Sequence, residues 1–578
     1  MKRTITLLLL YFLFASSTFA HEGIVNGEIK DSTSRSSIPF VNLLLEGNNF
    51  RQSTVSDGLG NFKFTGLDEG NYVLSTSCLG YERKTILFTL KDDEIKTVSL
   101  SIKLTRSALK LSEIVVTQSV DVGKTMSIIS KVDGILRPAN SSQDLLRLVP
   151  GLVIAQHAGG GKAEQIYLRG FDIDHGTDIR LTVDGMPVNM VSHAHGQGYS
   201  DLHFLTPETV EQVEFNKGPY NSSQGDFATA GSASFRTKNS LDKSSVKTEA
   251  GRFDTYRTVG LFDLLGKDQK NKNQNAYLSS EYLFTNGPFE SPQNFNRINL
   301  MGKYHGVVGD DKILTFSLST FSSKWDASGQ VPQRAIEQGI ISRFGAIDDK
   351  EGGTTNRSNA NFQLVKLQEN GGVFTNQIYF VNYNFELYSN FTFFLNDSVN
   401  GDQVRQKEHR NIYGYNSTYT IDKKIGSKAL RSEAGLQMRY DDIKDSELSH
   451  TMERKITLNR LALGQTSELN AGAFLDETLA LTEKFSITGG LRYDQFHFEY
   501  VNELDSIFIR KTADKGVLSP KLSFYYSLKP NIQLYFKTGI GFHSNDARVV
   551  TQRDGSVLPK AYSGDVGIFF KPVNKLLM

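Results

Sequence analysis

Long stretches of the second half of this chain alternate apolar and polar residues one by one. From Ala429 to Tyr440, Leu430, Ala434, Leu436, Met438 and Tyr440 fall on one face, and Arg431, Glu433, Gln437 and Arg439 on the other. From Gln377 to Leu387, Tyr379, Val381, Tyr383, Phe385 and Leu387 oppose Asn382, Asn384 and Glu386. A period of two belongs to an extended strand. Two architectures accept it: a soluble sandwich with its polar face in water, or a large membrane barrel with apolar residues outside and a wet lumen within. Charged and amide groups cannot face lipid, so in a barrel they line the lumen. Turn lengths separate the two cases. The run 522–540 reverses tightly at Lys529-Pro530-Asn531, whereas long polar stretches at 323–358, 441–460 and 541–560 separate other strands. Short turns at one end and long loops at the other are the pattern of an outer-membrane barrel.

Composition agrees. Apolar residues make up 39% and charged residues 22%, too apolar for disorder and too polar for a bundle of membrane helices. After the first twenty residues there is no run of 18 apolar residues to make a spanning helix. Phe (38) and Tyr (23) are plentiful enough for interfacial girdles, although Trp occurs once, at Trp325. The formal net charge of +1 argues against a nucleic-acid partner held by a basic field. One cysteine, Cys78, excludes an intrachain disulfide framework and reads as a buried small hydrophobe.

The N-terminus carries an address. Lys2 and Arg3 precede an apolar run from Ile5 to Ala15, and small residues lead to Thr18-Phe19-Ala20. This is the layout of a secretory signal over residues 1–20, with cleavage expected after Ala20. Residues 21–104 read as a β-sandwich, with turns at Asp57-Gly58-Leu59-Gly60-Asn61 and Asp68-Glu69-Gly70-Asn71 between alternating runs. The stretch 55–82, VSDGLGNFKFTGLDEGNYVLSTSCLGYE, resembles the carboxypeptidase regulatory-like domain, an accessory fold often placed ahead of outer-membrane receptors in Bacteroidetes. No zinc-peptidase spacing accompanies it, so peptidase activity does not follow.

Residues 105–121 read as a linker. Within it, Leu111-Ser112-Glu113-Ile114-Val115-Val116-Thr117 is a β-branched strand suited to pairing with a partner's sheet edge. The string LSEIVVTQ resembles a TonB box. Residues 122–240 then bring SQDLLRLVPGL (142–152), EQIYLRGFD (164–172), DIRLTVDGMPVN (178–189) and the closing run 208–238. In this order they resemble the plug domain of TonB-dependent receptors. That resemblance implies a plug seated in a barrel of about 22 strands, a TonB partner acting on the box, outer-membrane lipid around the wall, and import of a scarce solute. The fold class expected is therefore mainly β: an N-terminal sandwich, an α+β plug and, over 241–578, a partial antiparallel transmembrane barrel. The N-terminal domain is expected in the periplasm.

Roughly fourteen strand candidates follow residue 240, and the chain ends Lys575-Leu576-Leu577-Met578 rather than on a strand with a terminal aromatic. An unclosed barrel leaves backbone groups unpaired in lipid. The sequence thus reads as a fragment or prematurely stopped product of a longer receptor, expected not to insert alone as a competent transporter.

Histidines give the substrate clue. Five of eleven lie between 157 and 203: His157, His175, His193, His195 and His203, with Asp172, Asp174 and Asp201 nearby. If extended, His193-Ala194-His195 puts two imidazoles on one face. Imidazole with carboxylate suits a transition metal, bound as substrate and not as a required cofactor. The plain alternative is a polar plug surface against a wet lumen. Asp172–Gly176 lacks the ligands of a calcium loop, His157–Lys162 the spacing of a phosphate loop, and Gly198-Tyr199-Ser200 the closing Gly of a nucleophile elbow. Arg169 and Gly170 belong by resemblance to the plug core, and the Arg is expected to pair with a carboxylate in the plug or on the wall. Asp184 and Gly185 read as turn chemistry.

The reading is therefore a non-enzymatic TonB-dependent receptor importing a metal ion or a metal chelate such as a siderophore. A glycan importer is the alternative within the class. A surface-binding or signalling protein without transport, and an exported enzyme, stand outside it. No catalytic constellation supports the last.

Overall fold

The computed structural model describes residues 23–570, except 33–34, 36, 39–40, 48–49, 58, 78–83, 91–96, 105–127, 131–138, 140, 157–159, 174–175, 267–273, 310, 369, 427, 483, 530–531 and 553–556. The expected signal at 1–20, Cys78 and the segment Leu111–Thr117 lie outside the described residues. The chain divides into two compact units, Met1–Val115 and Val116–Met578.

The first unit is a β-sandwich. One sheet orders Asn61–Leu67, Gly23–Asp31 and Thr97–Leu104, the last pair parallel. The other orders Phe50–Val55, Asn42–Gly47, Gly70–Ser77 and Lys84–Leu90. Alternation sends Phe62 and Phe64 inward while Asn61 and Lys63 stay exposed, and they join Val25, Ile29, Leu45, Leu74 and Ile102 in one core. The turn before Asn61 is chemical: one Asp57 carboxylate oxygen accepts the N–H groups of Leu59 (2.9 Å) and Asn61 (2.8 Å), and Gly60 supplies φ +80°.

The second unit opens with the plug. The expected helix over 142–152 is a shorter 3-10 turn, Ser142–Leu148, and Leu152–Ala155 is already strand. A five-stranded mixed sheet orders Met186–Pro187, Ile179–Val183, Gly231–Thr237, Val210–Lys217 and Ile128–Ser130, and a three-stranded sheet orders Phe171–Ile173, Gln165–Leu168 and Leu152–Ala155. Leu146, Ile166, Leu181, Val188, Leu202 and Phe235 form the core between them.

Fourteen strands follow, from Ser245–Gly251 to Lys560–Phe570, in chain order and each antiparallel to the next. Among the described residues the two end strands do not pair with each other, so the sheet is open. No helix among these residues is long and apolar enough to cross a membrane. Two of the three expected long connections are present. One lies between Lys312–Ala327 and Glu351–Leu367, the other between Ile532–Phe542 and Lys560–Phe570. The expected loop at 441–460 is instead a hairpin of two 25-residue strands, Lys428–Met452 and Ile456–Ala480. The first residues of the second strand, Ile456 to Leu461, are exposed on both faces. Such a hairpin runs on into water, where polar side chains carry no desolvation cost, so local polarity did not mark a loop.

The side-chain alternation resolves the choice between sandwich and barrel. Leu436, Met438 and Tyr440 are 57%, 48% and 40% exposed, while Arg439 between them is ion-paired within. Aromatics continue this outer belt across the register, Phe380 to Tyr413 at 5.2 Å and Tyr413 to Tyr440 at 6.4 Å. The strand Val373–Ser389 departs from expectation. Its apolar face, Val381, Tyr383, Phe385 and Leu387, is buried inward, whereas Ile378 and Phe380 point out. The inward stripe meets Met190 and Tyr199 of the plug. Its outward Asn382, Asn384 and Glu386 lie past the apolar belt.

Two substitutions test this placement. Met438→Arg is expected to destabilise folding in phosphatidylcholine vesicles by about 2–4 kcal/mol, and Asn382→Arg, outward but past the belt, by about 1 kcal/mol or less. Urea titration of the vesicle-bound protein measures both.

Candidate functional site: the seam between plug and wall

Charged residues on inward strand positions meet the plug in three clusters. The first surrounds Glu208, in the 3-10 turn Pro207–Thr209. Arg257 donates from Nη1 and Nη2 to its two oxygens (2.7 and 2.6 Å), and from Nε to Glu281 (2.6 Å). Arg297 donates to the same Glu281 oxygen (2.7 Å) and meets His203 Nδ1 at 3.1 Å. Asn299 bridges the Glu281 carboxylate (2.7 Å) and the His203 carbonyl (2.9 Å). Arg257, Arg297 and Glu281 are buried, each with an opposite charge, as burial requires, and Glu208 is half-buried at the edge of the group.

The second cluster holds the plug loop between Met190 and Tyr199, which are joined by a β-bridge. Arg410 donates to the Val191 carbonyl (2.7 Å) and to Glu408 (2.6 Å); Glu408 accepts the Ala194 N–H (2.7 Å), and Glu468 accepts the Ser192 hydroxyl (3.2 Å). The third cluster centres on Arg492. It is bidentate with Asp494 (2.6 Å to each oxygen), donates to Gln437 (2.9 Å), and reaches the Ser222 carbonyl at 3.4 Å.

The expected site residues can now be placed. His193 and His195 are not in an extended strand. The loop turns at Ser192, whose φ is +48°, so the proposed one-face geometry does not arise. The His193 ring is buried, stacked on Tyr199 (4.4 Å, 3°) and edge-on to Phe385 (4.6 Å). Its Nδ1 accepts the His195 N–H (3.1 Å), and its Nε2 lies 3.2 Å from the Tyr383 hydroxyl and 3.7 Å from Glu408. His195 Nδ1 meets the Gln406 amide oxygen at 2.7 Å. His203 faces Arg297, and its N–H donates to Asp201 (2.7 Å). Burial lowers the His203 imidazole below its ordinary pKa. His193, His195 and His203 do not form a metal site: among the described residues no group of three or more His, Cys, Asp and Glu could hold a metal ion. His157, Asp174 and His175 lie outside the described residues.

Arg169 does pair with a wall carboxylate, Asp565, at 2.7 Å, and with Gly170 it takes positive φ (+55° and +81°). Asp184 and Gly185 form the turn before Met186 with φ +46° and +80°. Asp184 also accepts the Thr237 N–H (2.9 Å), and its carbonyl accepts Gln377 (2.6 Å) and Asn361 (3.1 Å) of the wall. A side chain at Gly185 would run into Gln377, so this turn is a wall contact as well as a reversal.

Sequence reasoning missed the wall charges. The available signal was opposite charges two apart in a strand, Glu408/Arg410, Arg439/Asp441 and Arg492/Asp494, since such side chains share a face. Between the second and third clusters lies a cavity of about 60 Å³, lined by Arg180, Asp226, Arg439, Asp441, Glu468 and Arg492 together with apolar side chains such as Leu181, Phe227 and Phe496. It has room for water but is well short of the roughly 300–1,000 Å³ typical of a ligand pocket.

Residues 118–232 match the TonB-dependent receptor plug domain, residues 25–116 the CarboxypepD_reg-like domain, and residues 192–568 the TonB dependent receptor-like beta-barrel. The last covers well over half of the chain, and this protein belongs to the TonB-dependent receptors. The family is one of outer-membrane transporters rather than enzymes. Among solved structures, the unliganded ferric citrate transporter FecA aligns with TM-score 0.66 at 14% identity, over 77% of this chain and 67% of that one. The closed form of the ferric-catecholate import receptor Fiu from E. coli gives 0.60 at 16%, over 78% and 71%. The ferric yersiniabactin uptake receptor FyuA from Yersinia pestis gives 0.60 at 17%, over 77% and 69%.

Two measurements probe the seam. Trp325, the sole tryptophan, packs against plug residue Gly161 so closely that no Cβ fits there, so its emission reports plug seating. Glu208→Gln is expected to loosen the plug by about 1.5–3 kcal/mol, the range for a hydrogen bond to a charged group, read as a lower urea midpoint for the Trp325 red shift. The second concerns Glu164 of the plug, whose carboxyl burial pushes up to about 7. A raised carboxyl pKa favours the seated state fully below its ordinary value near 4.5 and loses that contribution as pH rises through about 7. Plug stability is therefore expected to fall across that window, and Glu164→Gln to flatten the slope in the same urea titration at several pH values.

Proposed function

We propose that this protein imports a small ferric chelate of the siderophore type across the outer membrane. The N-terminal sandwich lies in the periplasm, and Leu111–Thr117 serves as the strand that TonB grips. The observation that carries the reading is the manner of plug seating. The wall holds the plug largely through its backbone carbonyls, at Val191, Asp184, His203 and Ser222. Water can replace such bonds at a net cost of about 1 kcal/mol for the amide donors and about 1.5–3 kcal/mol for the guanidiniums, which suits a plug that must shift and return. In this reading iron is cargo inside its chelator. The rings of His193 and His195 are engaged by Tyr199, Phe385 and Gln406 and are poorly placed to strip a bare ion. The names of the three structural relatives, each concerned with a ferric chelate, support the same choice.

A second reading, oligosaccharide import, draws on the exposed aromatics Phe391, Phe394 and Phe508 at the long-connection end, since aromatic rings can present flat apolar faces to a ligand. Uptake separates the two. Expression of the whole reading frame in an outer-membrane host lacking its own iron-chelate receptors is expected to confer radioiron uptake from ferric citrate or a ferric catecholate. That uptake should vanish without TonB or with residues 111–117 deleted. Uptake of labelled oligosaccharide but not of iron would reverse the order of the readings.

A further inference from the structure

The plug loop that carries Ser192 to Gln197 is held from a second side, by residues 543–550. Ser544 donates its N–H and hydroxyl to the two oxygens of plug Asp226 (2.6 and 2.7 Å). Gln197 donates back to the Ser544 carbonyl (2.8 Å) and hydroxyl (3.0 Å). The Ala547 N–H donates to the Ser192 hydroxyl (2.9 Å), and Arg548 Nη2 to the His193 carbonyl (2.9 Å). Arg548 is itself aimed by Asp546, whose carboxylate accepts its Nε at 2.8 Å.

The other face of this segment is apolar. Phe542, Ala547, Val550 and Leu558 pack with Phe496, Phe498 and Val517 of the wall. The segment is thus fixed to the wall by apolar burial and to the plug by hydrogen bonds alone. It lies in the long connection after Ile532–Phe542, at the end of the sheet opposite the short turn that precedes that strand. Asp226, its plug partner, also lines the cavity beside Arg180.

We propose that Ser544 and Arg548 are positioning residues for plug release, and that 543–550 is a latch through which movement at the long-connection end reaches the plug loop 192–197. The proposal rests on the importer reading, in which the plug shifts. Hydrogen bonds to Asp226, Ser192 and the His193 carbonyl make the latch separable from the plug, while its apolar back keeps it on the wall. A ligand that moves the latch changes the relative stability of two plug states, which a signal requires.

The test uses the full-length protein in detergent with urea as the probe, without solute or TonB. Plug release is read by Trp325 emission and wall unfolding by heat-modified gel mobility. Ser544→Ala with Arg548→Ala is expected to raise the plug-release equilibrium constant on the order of tenfold, with wall unfolding unchanged and partial recovery in Arg548→Lys. Gln197→Ala, made from the plug side, should loosen release in the same direction and be non-additive with Ser544→Ala. Release at the parental urea concentration, strict additivity, or wall unfolding that falls in step would each overturn the latch. Failure of the importer reading looks different: no iron uptake, with these release measurements intact.

Discussion

A guanidinium buried in a barrel wall must find acceptors, and in this protein the plug backbone supplies many of them. Arg410 reaches the carbonyl of Val191, Arg357 that of Pro187 (2.8 Å), Arg548 that of His193 and Arg492 that of Ser222. Amide side chains do the same, Gln377 and Asn361 on Asp184 and Asn299 on His203. Without the plug Arg410, Arg492 and Arg548 would keep their neighbouring carboxylates and Arg357 its Asn359 amide oxygen, but each would lose part of its coordination. The wall therefore specifies the plug's path more than its side chains. The arrangement demands a fixed plug backbone, which the positive φ values at Arg169, Asp184 and Ser192 help to provide.

The same constraint explains why one strand inverts the expected pattern. A period of two says which residues share a face and leaves open what that face meets. In Lys428–Met452 the apolar face of 436–440 meets lipid, and the inward Arg439 is neutralised by Asp441 (2.6 Å). In Val373–Ser389 the apolar face meets the plug, where Tyr383 and Phe385 enclose His193. The plug presents an aromatic patch there instead of bare carbonyls, so the wall opposite is apolar. Outward Asn382 and Asn384 are admissible because that part of the strand has passed the apolar belt.

How much could be read in advance follows from this. The strand count, the sandwich, the plug segment and the Arg169 pairing with a wall carboxylate were legible, because periodicity, turn residues and ordered motifs are local. The facing of 379–387 was not, since it depends on a plug segment nearly two hundred residues earlier. Nor was the hairpin at 441–460, because polarity marks water and not irregular backbone. The histidines misled for a related reason. His193 and His195 are close in sequence, but a left-handed Ser192 between two wall contacts sets their direction. The pairs Glu408/Arg410 and Arg492/Asp494 were visible as spacing. Their role at the seam needed the plug carbonyls opposite them.

The seam is uneven, and unevenness gives a pulled plug a direction. Around Glu208 and Glu281 the contacts are charge-assisted and bidentate, the strong kind of hydrogen bond. Around Asp226 the donors are a hydroxyl, a backbone N–H and an amide side chain, with Arg548 on the neighbouring His193 carbonyl, beside a cavity already large enough for water. Under load, water enters where a void exists and where the bonds it replaces are weakest. A wall uniform in either kind of contact would yield a plug that never leaves or one that never seats. Mixing bidentate ion pairs with single neutral bonds along the seam is compatible with a plug that is firmly seated and still reversibly displaced.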